Sequence, residues 1–216
     1  MTSSSRRSEP RPRDLQADAT RAALISSART LFVEQGYAAT STQALVLAAG
    51  VGTRGALYHH FPDKEALFAA VFEAIQADLG RDINERVGSG HTNLLDRLLA
   101  TLTAFLDCVL ESDEARALLR DGPAALGWEG FRAAEARFGV APLQSLLDRA
   151  IEKGAMVSVP TEPLARIIVA ILDDAALAIS VATDPGLVRQ EWSSTITALI
   201  DGLATTPPKA RRGRAR

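Results

Sequence analysis

Apolar positions along this chain recur every three to four residues almost from end to end, and alternation of the strand kind is scarce. Ala22, Ile25, Ala28 and Phe32 predict one face of a first helix that Gly36 stops. Residues 42–49 predict a short second helix ended by Gly50, and residues 53–60 a short third. Pro62 and Asp63 open a long fourth, with Asp63 as its N-cap and a stripe of Phe68, Val71, Phe72, Ile75, Leu79 and Ile83 running on to Val87. The segment GSGH then breaks the chain. Leu94, Leu95, Leu98, Leu102, Phe105, Leu106 and Val109 form a further stripe, and RDGPAALG, RFGVAP, EKGAMVSVP and TDPG divide the remainder into more helices. Only Val157-Ser158-Val159 looks locally extended. The pattern predicts an all-α fold of about nine to ten helices, without the fixed period of a solenoid.

Composition narrows this picture. At 216 residues and 47% hydrophobic content, the chain is long enough to bury a real core. Its first 17 residues are polar, Arg- and Pro-bearing, and read as a disordered basic arm; no apolar run of signal-peptide length opens the chain, which points to the cytoplasm. The most apolar stretch, 164–182, approaches bilayer length, but Asp173 and Asp174 at its centre argue against a membrane span. Cover by other protein, a second copy of the chain included, is the alternative. The single cysteine, Cys108, sits on an apolar helical stripe and reads as a small core residue rather than a nucleophile.

Net charge is −2, but unevenly spread. Residues 1–64 hold eight Lys/Arg against five Asp/Glu, residues 65–206 eleven against twenty-one, and the last ten residues five against none. A polyanion is therefore drawn to the first segment or to the basic tail, 207–216, and repelled by the middle. For the tail a merely solvating role stands beside binding.

The glycines of Gly50-Val51-Gly52-Thr53-Arg54-Gly55 fit G-x-G-x-x-G, the dinucleotide pattern. That pattern needs a strand before its first glycine and a βαβ unit around it, whereas STQALVLAAG reads as helix. As a turn between two short helices the same glycines make a helix-turn-helix, whose second helix leads into the DNA major groove with its N-terminal residues. There Arg54 can meet guanine O6 and N7, Thr53 offers a hydroxyl and a methyl, and Gly55 permits close approach. Tyr58, His59, His60 and Lys64 carry phosphate donors. Thr40, Ser41 and Thr42 either cap the second helix or donate to phosphate. His59 and His60 as a metal pair are disfavoured, because adjacent helical residues diverge by about 100° and His91 is the only other histidine.

Residues 31–73 resemble the DNA-binding region of the tetracycline-repressor (TetR) family of bacterial transcription regulators. The resemblance rests on Phe32 with Gly36-Tyr37, Thr40-Ser41-Thr42, Ala49-Gly50-Val51, Gly55 to Phe61 (GALYHHF), and Lys64-Glu65-Ala66-Leu67, and covers about residues 18–78. It implies a three-helix DNA-binding head (18–78) and an all-helical domain (79–206) that binds a small-molecule effector and forms a homodimer through its last two long helices. It also implies phosphate contacts for Thr42, Thr53, Tyr58, His59, His60 and Lys64, and base-facing positions for Arg54 and Gly55. Two departures stand out. Gly52 makes the turn one residue longer, which unsettles the register of the third helix, and Val46 stands where the family often has Ala.

Beyond residue 90 the resemblance fades. Phe105, Trp128, Phe131, Arg132 and Met156 are candidate pocket residues, each with core packing as its rival role. Arg166 and Asp173, one heptad apart, predict reciprocal pairs across a two-fold axis in an interface with Leu177, Trp192 and Ile196; local solvation or hydrogen bonding of Asp173 is the alternative. Sequence motifs for hydrolases, nucleotide binding and metal clusters are missing, so no cofactor and no enzymatic activity are expected. The leading expectation is a dimeric, effector-responsive repressor that binds a near-palindromic operator at the nucleoid. An activator or ligand-insensitive regulator, a helical small-molecule enzyme and a helical interaction module are the alternatives.

Overall fold

The computed structural model describes residues 12–90 and 93–205. The helices are α1 (Pro12–Gln35), α2 (Thr42–Ala48), α3 (Arg54–His60), α4 (Lys64–Val87), α5 (Leu94–Glu111), α6 (Asp113–Glu135), α7 (Ala141–Glu152), α8 (Thr161–Val181) and α9 (Pro185–Asp201). A π-helical turn, Ala136–Val140, joins α6 to α7 without a break. The all-α expectation holds. Counted with α6, the π turn and α7 as one kinked element, the helices among the described residues number eight, slightly fewer than expected. The extended segment near Val157 amounts to one bridge, Met156 to Ala204. The chain divides into two compact units inside α4, between Val71 and Phe72. Residues 12–17, assigned to the arm, are helical; residues 1–11, His91 and the basic tail lie outside the described residues.

In the first unit, α1 buries Leu24, Ala28 and Phe32, a spacing of four residues that keeps them on one face. Ala22, placed on that face from sequence, is exposed, so the buried stripe is rotated toward Leu24. Gly36, at φ 80°, ends the helix. The chain then turns Tyr37 inward, where its ring lies 5.6 Å from Phe32 and 5.0 Å from Phe68, with Phe32 and Phe68 5.3 Å apart. Asp63 caps α4 as expected, its Oδ1 accepting from Ala66 N at 2.7 Å.

The second unit is built on α5, which buries Leu95, Leu98, Leu99, Leu102, Leu106 and Val109. These join Leu143, Leu146 and Leu147 of α7, Ile168, Leu172 and Ile179 of α8, and Ile196 and Ile200 of α9 in one core. Cys108 is buried as well, and burial pushes its thiol up, which disfavours the reactive thiolate. Within α6 the helix breaks at Gly127, whose φ of 64° and ψ of 168° leave the helical region. Gly122 packs so tightly that a Cβ there would stand 2.7 Å from the Phe131 ring. No helix of the described residues is long and apolar enough to cross a membrane.

Candidate nucleic-acid interface

Two turns place α3. Helix α2 starts at Ser41, whose Oγ accepts from Ala44 N at 3.1 Å, and ends at Gly50, where a φ of 65° lets Gly50 N donate to Leu47 O (3.2 Å) and Val51 N to Val46 O (3.3 Å). This closes two helix-end carbonyls. Gly52, at φ 77°, centres a tight turn in which Thr53 N donates to Val51 O at 2.9 Å. A Cβ at Gly52 would meet nothing within 4 Å, so glycine is needed there for its backbone and not for space. The additional residue is thereby absorbed before the helix begins. Thr53 becomes the N-cap of α3, its Oγ1 accepting from Ala56 N at 3.2 Å, and Arg54 its first helical residue. Val46 is buried beside Leu45, so the larger side chain points into the head. A helix, not a strand, leads into Gly50, which removes the dinucleotide reading.

Leu57 is the buried residue of α3, and Arg54, Gly55, Tyr58 and His59 lie exposed, Tyr58 at 48%. His60 is half-buried, its ring 5.2 Å from that of His59. Among the described residues no group of three His, Cys, Asp or Glu is placed to hold a metal. Residues 35–62 contain no acidic side chain, so α2, α3 and their turns offer a polyanion no like charge.

The Thr40-Ser41-Thr42 trio divides by role. Thr40 is buried, its hydroxyl donating to Gly36 O at 2.8 Å; Ser41, exposed, is the cap; Thr42, half-exposed, is the first residue of α2. Lys64 has a structural task that its sequence position did not reveal. Its ammonium donates to Tyr37 O (2.9 Å) and Thr40 O (3.1 Å) and lies 4.1 Å from the centre of the Tyr37 ring, which ties the α1–α2 corner to α4. Sequence reasoning also passed over Gln43, whose Oε1 accepts from Arg54 Nε at 3.1 Å. Its position one residue into α2 was the available signal.

Two family models match this chain: bacterial regulatory proteins of the tetR family over residues 24–71, and the tetracyclin repressor-like C-terminal domain over residues 95–203. The chain belongs to the TetR family of transcriptional regulators. A crystal structure of a TetR-family regulator from Pectobacterium atrosepticum is 31% identical, with 90% of this chain and 98% of that one covered at a TM-score of 0.75. The HTH-type transcriptional regulator AcrR of Shigella flexneri is 42% identical over 65 residues, 30% of either chain. The HTH-type transcriptional repressor KstR2 of Rhodococcus jostii is 34% identical over 101 residues, 47% of this chain and 48% of its own. The chain thus spans less than half the length of these two curated relatives.

In this TetR-family chain the second unit holds the five candidate pocket residues in different surroundings. Trp128 is 68% exposed, with the Arg132 guanidinium 5.6 Å from the centre of its ring. Phe131 is buried edge-on to Phe72 at 6.0 Å, Phe105 is half-buried against the core, and Met156 is buried within it. An open cleft of about 490 Å³ lies elsewhere, lined by Arg86, Asp96, Leu99, Thr103, Asp107 and Thr197 among others, and none of the five candidate pocket residues lines it.

The candidate interface residues also separate. Arg166 pairs with Glu162 of its own helix. Asp173 turns toward α6, where burial and a hydrogen bond to the Glu135 carboxyl push it up to about 8 against the opposing pull of Arg132. Both members of the expected intersubunit pair therefore have partners in their own chain. Ile196 is buried in the core and Trp192 packs against it; Leu177, 51% exposed, alone of the five stands on an open face.

Proposed function

We propose that this TetR-family regulator is a homodimeric repressor that grips a near-palindromic operator with two copies of the α2–α3 face and releases it when a small-molecule effector binds the helical body. The supporting observation is the open, acid-free surface of Thr42, Thr53, Arg54, Gly55, Tyr58 and His59, held by capped helices over a buried Leu57. Phosphate donors and a base-reading arginine stand on one side of it. His60 beside them is half-buried, and Lys64 is held by the Tyr37 and Thr40 carbonyls.

A helix of seven residues is only about 10 Å long and reads few base pairs. Two heads about 34–36 Å apart supply the missing discrimination. The dimer is supported by exposed apolar side chains on the last two helices: Ile167, Leu177 and Val181 on α8, and Leu187 and Leu199 on α9. A second copy of this chain covers them in the proposed assembly. We assign the effector to the helical body, with the cleft between Arg86 and Thr197 as its entry point; its mixed charges favour a hydrogen-bonding molecule over a purely aliphatic one. The protein acts in the cytoplasm, at the nucleoid, without a cofactor and without catalysing a reaction.

Gel retardation of the DNA upstream of its own coding sequence, at low salt and with sedimentation of the free protein, tests this reading. A retarded complex of dimer stoichiometry supports it. A folded protein that retards nothing contradicts it.

A further inference from the structure

Arg54 is the guanidinium on α3, and a guanidinium on a flexible stem reads sequence more sharply when a neighbour fixes its plane. The structure supplies that fixture on the other helix of the motif. Gln43, the second residue of α2, lies eleven residues before Arg54, and its Oε1 accepts the Arg54 Nε–H at 3.1 Å across the glycine turn. Both side chains are solvent-exposed, so this bond adds little to folding stability. Its consequence is geometric.

A guanidinium presents two edges with paired donors: the side edge, which includes Nε, and the end edge, formed by the two terminal amino groups. With Nε held by Gln43, the side edge is occupied and the end edge remains for O6 and N7 of a guanine. The arginine donates only, so the amide oxygen of Gln43 is the atom that faces it and the amide NH2 is directed elsewhere. The Gly52 turn belongs to the same device. By making Thr53 the cap it puts Arg54 at the first position of α3, within reach of the second position of α2.

We infer that Gln43 is a specificity-determining positioning residue, which locks the Arg54 guanidinium end-on toward a guanine of each operator half-site. The inference rests on the DNA-binding reading above and deepens it. Gln43→Ala removes the acceptor, frees the guanidinium to rotate and opens its side edge, so other bases and phosphates compete for it. Gln43→Glu keeps an oxygen at the same place and retains the lock.

The test uses the full chain and a pool of duplexes randomised over about 30 base pairs. Enriched sequences define the half-site, and fluorescence anisotropy then compares the selected duplex with one in which the guanine contacted by Arg54 is replaced. For the unaltered protein the affinity ratio between the two is expected to be about 10- to 100-fold. Gln43→Ala should lower it to about threefold or less with unchanged thermal unfolding, and Gln43→Glu should preserve it. The Gln43→Ala/Arg54→Ala double variant should match Arg54→Ala alone, because the two act as one unit. A Gln43→Ala protein that keeps the full ratio, or a double variant whose losses add, overturns the inference and leaves the DNA-binding reading standing. A pool from which the unaltered protein enriches nothing overturns both.

Discussion

The head, up to Val71, and the body, from Phe72 on, are both helical, yet they encode their work in different ways. In the head, short elements fix each residue's role within a few positions: Ser41 and Thr53 cap, Gly50 and Gly52 turn, Leu57 anchors, and the residues between them face outward. In the body, long helices of similar composition meet through faces set by partners far away in sequence. Asp173 illustrates this, because its surroundings come from Glu135 and Arg132 on another helix. Local chemistry can be read along a chain; the meeting of distant faces has to be seen.

The sharpest way to break this contrast is to damage each core separately. Phe68→Ala removes the ring that packs on both Phe32 and Tyr37 and should cost about 3–5 kcal/mol. Hydrogen exchange should show amide protection lost in α1–α3 while α5 and α8 keep theirs; equal loss in both would dissolve the distinction between the units. Gly122→Val in the body drives a side chain into the Phe131 ring and should cost about 1–3 kcal/mol, read as a lower denaturation midpoint.

A smaller effect separates them by pH. The folded body holds the Asp173 proton up to about 8, whereas an unfolded aspartate releases it near about 3.9. Between these values the folded chain binds more protons than the unfolded one, so this group's contribution to stability falls as pH rises from about 4 to 8. Asp173→Asn should flatten that slope and stabilise the protein by about 1–2 kcal/mol at pH 8, with little change at pH 4. Urea titrations at the two values measure it, and a slope unchanged by the substitution would refute the assignment. Smallest of all, Thr53→Ala in the head should cost about 1 kcal/mol, the usual worth of an N-cap, while leaving the pH dependence of the body intact.

How much of this was legible in the sequence follows the same division. The all-helical fold, the Asp63 cap, the Gly36 and Gly50 stops and the exposed positions of α3 were readable, because each depends on residues three or four places apart. On α1 the stripe places Ala28 and Phe32 correctly, whereas Ala22 is exposed and Leu24 buried in its stead, a choice made by the packing partner. The sequence shows Lys64 only as a phosphate contact; its carbonyl partners, Tyr37 and Thr40, lie more than twenty residues away, beyond any local pattern. The intrachain partners of Arg166 and Asp173, Glu162 and Glu135, escaped the sequence for a related reason. A heptad spacing fixes that two residues share a helix face, but whether the face looks outward depends on α6.

Hydroxyl-radical footprinting of the full chain on its own upstream region tests the central claim most directly, with Arg54→Ala and Tyr58→Phe proteins alongside. Two protected patches related by a two-fold axis and separated by about one turn of the duplex are expected, weakened by Tyr58→Phe and losing base preference with Arg54→Ala. A folded protein that leaves the duplex uniformly cleaved, or one whose protection survives both substitutions unchanged, contradicts it.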